Sequence, residues 1–129
     1  MRRKILSIGA EPSLQLSRKM ILEQAGFVVV SVADVQEGLA QCGEHRFGLF
    51  LVCQSVSEHE KLVLTRALRG KCPGIPILEM HSHDTPRVIG ADYTVETVDG
   101  PEALVITVQR IFDKARATAA AARRDSRTA

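Results

Sequence analysis

The sequence lacks the features of membrane-spanning and exported proteins. Its 129 residues include no tryptophan and only 4% aromatic residues, and no apolar run approaches the ~18 residues that a membrane-spanning helix needs. The basic start, Met1-Arg2-Arg3-Lys4, resembles that of a signal peptide, but the apolar run after it stops at Gly9. Such a run is too short for a secretory signal. We therefore expect a cytoplasmic protein that makes no membrane contact and is long enough to bury one core.

Cysteines and nucleotide-binding glycine motifs are also scarce. There are three cysteines, Cys42, Cys53 and Cys72, and no C-x-x-C pair. Their odd number and irregular spacing argue against a disulfide framework, so reduced thiols are expected. Neither G-x-G-x-x-G nor a Walker sequence is present, which argues against nucleotide binding. We expect no cofactor.

The net charge of +2 is unevenly distributed along the chain. Residues 114–129 carry five basic side chains and one acidic side chain, whereas residues 1–113 carry twelve basic and fourteen acidic ones. Charge asymmetry of this kind can accompany nucleic-acid or membrane binding. The basic residues of the tail are spread out, however, and no aromatic residue lies among them to stack on bases. A solvated tail is the better interpretation, and nucleic-acid binding is not expected.

Short apolar runs alternate with helix signals along the body of the chain. The runs predict strands at 4–8, 27–32, 47–52, 75–80 and 91–95. Capping residues predict helix starts at Ser13, Asp34, Ser57 and Asp99. The second strand is almost entirely apolar and β-branched, which predicts burial on both of its faces. The alternation is typical of a parallel sheet with helices on both faces.

The first and last predicted helices carry apolar stripes that should face the sheet. In the first helix, which runs to about residue 25, the stripe is Leu14, Met20, Ile21 and Ala25. In the last helix it is Leu104, Val105, Val108, Ile111 and Phe112. Because alanine is the best helix former, this last helix can continue through the alanine-rich stretch. We predict one domain over 1–113, followed by an Ala/Arg-rich helix extension or frayed tail over 114–129.

Five short motifs follow one another along this body. They are Ile5-Leu6-Ser7-Ile8, Ala25-Gly26-Phe27-Val28-Val29, Leu49-Phe50-Leu51-Val52-Cys53, Ile75-Pro76-Ile77-Leu78 and Gly90-Ala91-Asp92-Tyr93. In this order and spacing, the chain resembles the receiver domain of two-component response regulators over residues 3–113. The resemblance implies a flavodoxin-like α/β fold with a five-stranded parallel sheet, and a role in two-component signalling or a phosphorelay. The segment 81–90 is shorter than in the family, so the helix between the fourth and fifth strands should be short or absent.

The positions that carry the family's phosphorylation chemistry hold different residues here. In the family, an acidic pair after the first strand binds Mg²⁺ and an aspartate after the third strand accepts the phosphoryl group. A serine or threonine follows the fourth strand as a switch, and a lysine follows the fifth. The resemblance places these roles, in order, at Gly9 and Ala10 with Glu11 beside them, Cys53, His81 and Glu96.

These substitutions remove what aspartate phosphorylation requires. The reaction needs a carboxylate nucleophile, a divalent cation and a cation that holds the product. Gly9 and Ala10 offer Mg²⁺ no side-chain oxygen. Cys53 cannot form an acyl phosphate, and Glu96 would repel a phosphoryl group. We therefore expect a receiver-like domain (a pseudo-receiver) that has no enzyme activity, is not phosphorylated on aspartate and acts by protein–protein interaction.

Cys53 and His81 also allow two other hypotheses. Both follow neighbouring strands of the predicted sheet, at the edge where open α/β sheets bind ligands. They could act as a nucleophile with its base, or Cys53 could be a thiol redox sensor. A structural cysteine that fills space is the simpler interpretation. With His83 and Asp84 they could also bind zinc, but three candidates in one polar loop favour a plain loop, and we expect no metal.

The resemblance also implies protein partners. In the family, the face formed by the last helix and the fifth strand dimerises. The corresponding surface here is the exposed side of 101–113, and Arg110 and Lys114 are its candidate contact residues. The expected partner is a histidine kinase, another regulator or a second copy of the chain, which would form a homodimer.

Overall fold

The computed structural model describes residues 3–44, 46–53, 56–82 and 91–128. Within these ranges there are five strands and four α-helices. The strands are β1 (Lys4–Ile8), β2 (Val28–Val32), β3 (Leu49–Val52), β4 (Ile77–His81) and β5 (Tyr93–Glu96). The helices are α1 (Pro12–Gln24), α2 (Val35–Glu44), α3 (Glu58–Lys71) and α4 (Gly100–Thr128), and a 3₁₀ turn at Thr97–Asp99 leads into the last of them.

The five strands form one parallel sheet in the order β2-β1-β3-β4-β5. Because successive side chains of a strand point to opposite faces, the sheet separates two apolar layers. The layer on the side of α1 and α4 includes Ile5, Leu22, Leu51, Leu78, Val108 and Phe112. The layer on the side of α2 and α3 includes Leu6, Ile8, Phe50, Leu64, Leu68 and Ile77. The predicted flavodoxin-like architecture, a parallel sheet with helices on both faces, is confirmed.

Strand β2 is buried on both faces, as predicted, but only in part. Val29 packs in the layer of α1 and α4, and Val32 packs in the layer of α2 and α3. Val28, in contrast, is 55% exposed. The reason is the position of β2 at the edge of the sheet.

Helix α1 also differs from its prediction at the start and along its buried face. Its N-cap residue is Glu11, with Pro12 in the first turn, and no side chain caps it. Ser13 is therefore not the cap. Leu14 and Met20 of the predicted stripe are 38% and 54% exposed.

The residues of α1 that are buried are Gln15, Arg18 and Leu22. They are three and four positions apart and so share one face of the helix. That face is polar because it covers polar groups at the end of the sheet, which are described below.

Helix α4 follows its prediction closely. Leu104, Val108, Ile111 and Phe112 are buried, and Val105 packs against the same layer. The helix is continuous through the alanine-rich stretch to Thr128, so the division of the chain near 114 falls inside one helix and stays a prediction. Residues 83–90, where the short or absent helix is expected, lie outside the described residues. None of the helices in the described ranges has the length and apolar character to cross a membrane.

Candidate functional site

The substituted positions meet at the carboxyl edge of the sheet, where parallel strands bring their ends together. Gly9 follows β1, and the amide of Cys53, which follows β3, donates to the carbonyl of Ile8 at 2.9 Å. His81 ends β4 and is paired in register with Glu96 at the end of β5. The sequence therefore located this edge correctly.

A side chain that the sequence reasoning missed occupies the centre of this edge. The amide nitrogen of Gln15 donates to the carbonyl oxygens of Val32 at 2.9 Å, Ser7 at 3.0 Å and Gly9 at 3.4 Å. The hydroxyl of Ser7 donates to Gln15 Oε1 at 2.6 Å. Gln15 is 6% exposed and Ser7 is 1% exposed. The amide thus satisfies backbone oxygens of β1 and β2 at the place where the resemblance puts a Mg²⁺ site.

The thiol of Cys53 lies directly behind this amide. Its Sγ is 3.7 Å from the Ser7 hydroxyl and 3.6 Å from Gln15 Oε1. Cys53 is 0% exposed. Burial raises the pKa of the Cys53 thiol, and the nearby charges of Arg18 and Lys61 oppose this increase only in part. The thiol is therefore held in its neutral form at physiological pH.

An ion pair is buried on the other side of the cluster. Lys61 Nζ, from the first turn of α3, lies 3.5 Å from Glu79 Oε1 on β4, with the two side chains only 3% and 2% exposed. The same ammonium donates to the carbonyl of Met80 at 3.1 Å. Lys61 therefore has an anionic partner and a backbone acceptor, so its charge is compensated within the protein.

His81 is buried, but its contacts do not form the proposed catalytic pair. Its Nδ1 lies 3.4 Å from the carbonyl of Ser82. The thiol of Cys53 instead interacts with Ser7, Gln15 and Arg18. Within the described ranges, Nε2 of His81 has no hydrogen-bond partner.

The zinc hypothesis, which the sequence did not favour, includes two residues that the structure does not describe. His83 and Asp84 lie outside the described residues. Among the residues that are described, no group of three or more His, Cys, Asp or Glu side chains could hold a metal ion.

A shallow groove of about 320 Å³ opens beside the Gln15 amide, between α1 and the end of β2. Its walls include Gly9, Ala10, Leu16, Lys19 and Ala33. No carboxylate contributes to this lining, since Glu11 is not among its residues. The groove therefore offers Mg²⁺ no carboxylate, although Gln15 and Ser31 in its lining carry neutral side-chain oxygens.

Two of the missed residues carry a signal in the sequence. Ser7 and Glu79 are single polar residues inside apolar strands, and a buried polar group requires partners. Gln15 and Arg18 carry no such signal, because polar residues at helical spacing are typical of an exposed helix face. The pairing of Lys61 with Glu79 has no local signal, because 18 residues separate the partners.

No protein-family model matches the chain, and no curated protein matches it significantly by sequence. Solved structures do match. The chemotaxis protein CheY4 of Vibrio cholerae is 23% identical with a TM-score of 0.75, and the match covers 86% of this chain and 99% of that one. A receiver domain protein of Clostridium thermocellum is 17% identical with a TM-score of 0.77, over 89% of this chain and 98% of that one.

A longer protein matches more of this chain. NtrX of Brucella abortus is 17% identical with a TM-score of 0.85, and the match covers 99% of this chain but 30% of that one. The chemotaxis protein and the receiver domain protein leave more of this chain unmatched. At these identities the likeness establishes the fold alone, and that fold is the one of response-regulator receiver domains.

Proposed function

We propose that the chain is a receiver-like domain of two-component signalling that is not phosphorylated on aspartate, has no enzyme activity and acts by docking to a protein partner. The observation that carries this proposal is the Gln15 amide at the carboxyl edge of the sheet. Its nitrogen donates hydrogen bonds to the backbone carbonyl oxygens of Ser7 and Gly9. A divalent cation would have to displace these hydrogen bonds, and neither Gly9 nor Ala10 offers it a side-chain oxygen.

The burial of Cys53, at the position that corresponds to the family's phosphoacceptor, supports the same proposal. Cys53 is fully buried, so a phosphoryl donor has no approach to its sulfur. The carboxylate of Glu79 on the neighbouring strand β4 is paired with Lys61 and is 1% exposed. Neither a nucleophile nor a free cation is therefore presented to solvent by these residues.

The alternative of a thiol sensor centred on Cys53 loses support for the same reasons. A reactive cysteine needs exposure and a thiolate, whereas this sulfur is buried and its pKa is raised by that burial. We assign Cys53 a structural role, in which it fills the space between Ser7 and Gln15.

The exposed side of α4 is the docking face that we favour. Arg110 and Lys114 are both exposed there, and Lys114 Nζ lies 5.9 Å from the centre of the Tyr93 ring on β5. Helix α4 and strand β5 thus form one continuous surface. The partner that fits the proposal is a histidine kinase, another regulator or a second copy of this chain.

The test of the lost chemistry is NMR of the labelled full chain with beryllofluoride and Mg²⁺. We expect amide resonances near Gly9, Cys53 and His81 to stay in place at concentrations that saturate a competent receiver. Saturable shifts at these three positions would show that the site still binds a phosphate-like ligand, and the proposal would have to be withdrawn.

A further inference from the structure

Two of the three cysteines come together at the end of the molecule opposite the candidate site. Cys42 lies in the last turn of α2, and Cys72 is the C-cap residue of α3. The thiol of Cys72 donates to the carbonyl oxygen of Cys42 at 3.0 Å, although 30 positions separate the two residues. The Cys72 side chain also influences the pKa of the Cys42 thiol. The fold therefore creates a dithiol that the spacing in the sequence does not suggest.

This dithiol is accessible from one side. Both cysteines line a cleft of about 540 Å³ together with Arg46, Phe47 and Pro73. Cys42 is 4% exposed, whereas Cys72 is half-buried. A small reagent that enters the cleft therefore reaches Cys72 first and finds Cys42 directly behind it.

The surroundings of Cys42 favour the protonated form of its thiol. Burial and the hydrogen bond with Cys72 raise the pKa of the Cys42 thiol to about 11. The thiol donates to the carbonyl of Leu39 at 3.3 Å, and Lys71 Nζ donates to the same carbonyl at 2.7 Å. Lys71 also passes close over Gly43, where an added Cβ would lie 3.0 Å from its ammonium. A cation is thus positioned beside the dithiol, where it favours any negative charge that develops on sulfur.

We propose that Cys42 and Cys72 form a reversible disulfide site that a hydroperoxide oxidises. The Cys72 thiol loses its proton, its thiolate attacks one peroxide oxygen and the O–O bond breaks. Cys72 becomes a sulfenic acid, and the departing hydroxide or alkoxide takes up the released proton and leaves as water or an alcohol. The sulfur of Cys42 then attacks the sulfur of Cys72, the S–O bond breaks, and the departing hydroxide leaves as water with the proton of Cys42. Two thiols have then lost two hydrogens, and the hydroperoxide has been reduced by two electrons.

The third cysteine provides an internal comparison. Cys53 is 0% exposed and lies at the carboxyl edge of the sheet, while the dithiol lies at the ends of α2 and α3 on the amino side. The new bond would tie these two helix ends together and leave the Gln15 cluster unchanged. The inference is therefore independent of the proposed signalling function, and either can fail without the other.

The test is treatment of the reduced full chain with hydrogen peroxide, followed by alkylation of free thiols and tryptic mass mapping. The three cysteines fall in three different tryptic peptides, 20–46, 47–61 and 72–87. We expect a cross-linked peptide pair that contains Cys42 and Cys72, that is lower in mass by two hydrogens and that disappears with dithiothreitol. The peptide of Cys53 should remain alkylated.

Matched variants separate this outcome from unspecific oxidation. Cys53→Ser should keep the cross-link, while Cys42→Ser and Cys72→Ser should each abolish it. If a serine variant does not fold, phenylarsine oxide, which bridges neighbouring thiols, provides a second measurement on the wild-type chain, and we expect one arsenic bound per molecule. The proposal is overturned if Cys72 is oxidised to sulfinic acid while Cys42 stays free, if Cys53 appears in the cross-link, or if no arsenic binds.

Discussion

At the scale of single residues, the pair of Lys61 and Glu79 determines how the carboxyl edge of the sheet is held together. Two buried opposite charges stabilise a fold little compared with apolar residues of similar size, but a single one left without its partner destabilises it strongly. Glu79 is 1% exposed and Lys61 is 2% exposed. Removal of both partners should therefore lower the free energy of unfolding by less than the sum of the two single removals.

A double-mutant cycle measures this dependence. We expect Lys61→Met and Glu79→Leu each to lower the free energy of unfolding by about 3–5 kcal/mol. The double variant should lose less than the sum of the two, since it leaves no buried charge alone and only the Met80 carbonyl loses a donor. Urea unfolding at neutral pH is the measurement.

The exposed ion pair between Arg69 and Asp92, 3.1 Å apart with side chains 43% and 36% exposed, provides the control. Arg69→Ala should change the free energy of unfolding by no more than about 1 kcal/mol. Additive losses in the Lys61 and Glu79 variants would mean that the two charges do not depend on each other, contrary to the geometry.

At the scale of elements, the sequence predicted the positions of the helices and strands better than the faces that they bury. Apolar runs located all five strands of the sheet, because strands covered by helices on both faces are rich in apolar residues. The α4 stripe was correct because its environment is the apolar layer that contains Phe27 and Leu51. In both cases the local pattern and the tertiary environment agree.

Helix α1 shows why the buried face of an element could not always be predicted from its sequence. Its outward residues Leu14, Leu16 and Met20 are apolar and exposed, while Gln15 and Arg18 face the sheet. Which face turns inward depends on Ser7 and on the backbone oxygens at the ends of β1 and β2, which accept the Gln15 amide. Those acceptors become neighbours only when the sheet has formed, so no window of sequence contains the information.

Helix α4 also carries a prediction about how far the folded domain extends. Its last buried core residues are Ile111 and Phe112, and the Phe112 ring lies 5.2 Å from that of Phe27. We expect a chain that ends at Ala117, one turn beyond this contact, to keep its free energy of unfolding within about 1 kcal/mol, because exposed residues contribute little. Its circular dichroism should lose only the signal of the removed turns.

A shorter truncation is the matched control. A chain that ends at Arg110 lacks Ile111 and Phe112, and the loss of two large core side chains should cost at least about 3–5 kcal/mol. Urea unfolding of both truncations alongside the full chain measures the difference. Equal stability of the two would show that the end of α4 does not complete the core, and a large loss in the Ala117 chain would place the alanine-rich stretch within the folding unit.

At the scale of the whole molecule, α4 presents a surface that can pair with itself. Ile106 on its outer side is 50% exposed, and Arg110 and Asp113 are exposed about one and two turns further along. An interface with two-fold symmetry brings each residue of one copy near a different residue of the other. Arg110 of one copy can therefore face Asp113 of the other, around a centre formed by the two Ile106 side chains.

Sedimentation velocity over a range of protein concentrations tests this pairing in the full chain. We expect the wild type to dimerise and Arg110→Glu to weaken the dimer at least about tenfold, or ~1.4 kcal/mol, because two acidic faces would then oppose each other. The double variant Arg110→Glu/Asp113→Arg exchanges the charges and should restore the dimer.

The control is Arg66→Glu, an exposed charge reversal on α3, which lies across the sheet from α4 and should have no effect. The pattern of these variants distinguishes a docking face from a change in net charge, since Arg66→Glu and Arg110→Glu alter the net charge equally. A wild-type chain that stays monomeric would exclude a second copy as the partner and leave a kinase or another regulator. A dimer that Arg110→Glu does not weaken would exclude the α4 face, and attention would then turn to the exposed apolar residues Leu16 and Met20 of α1.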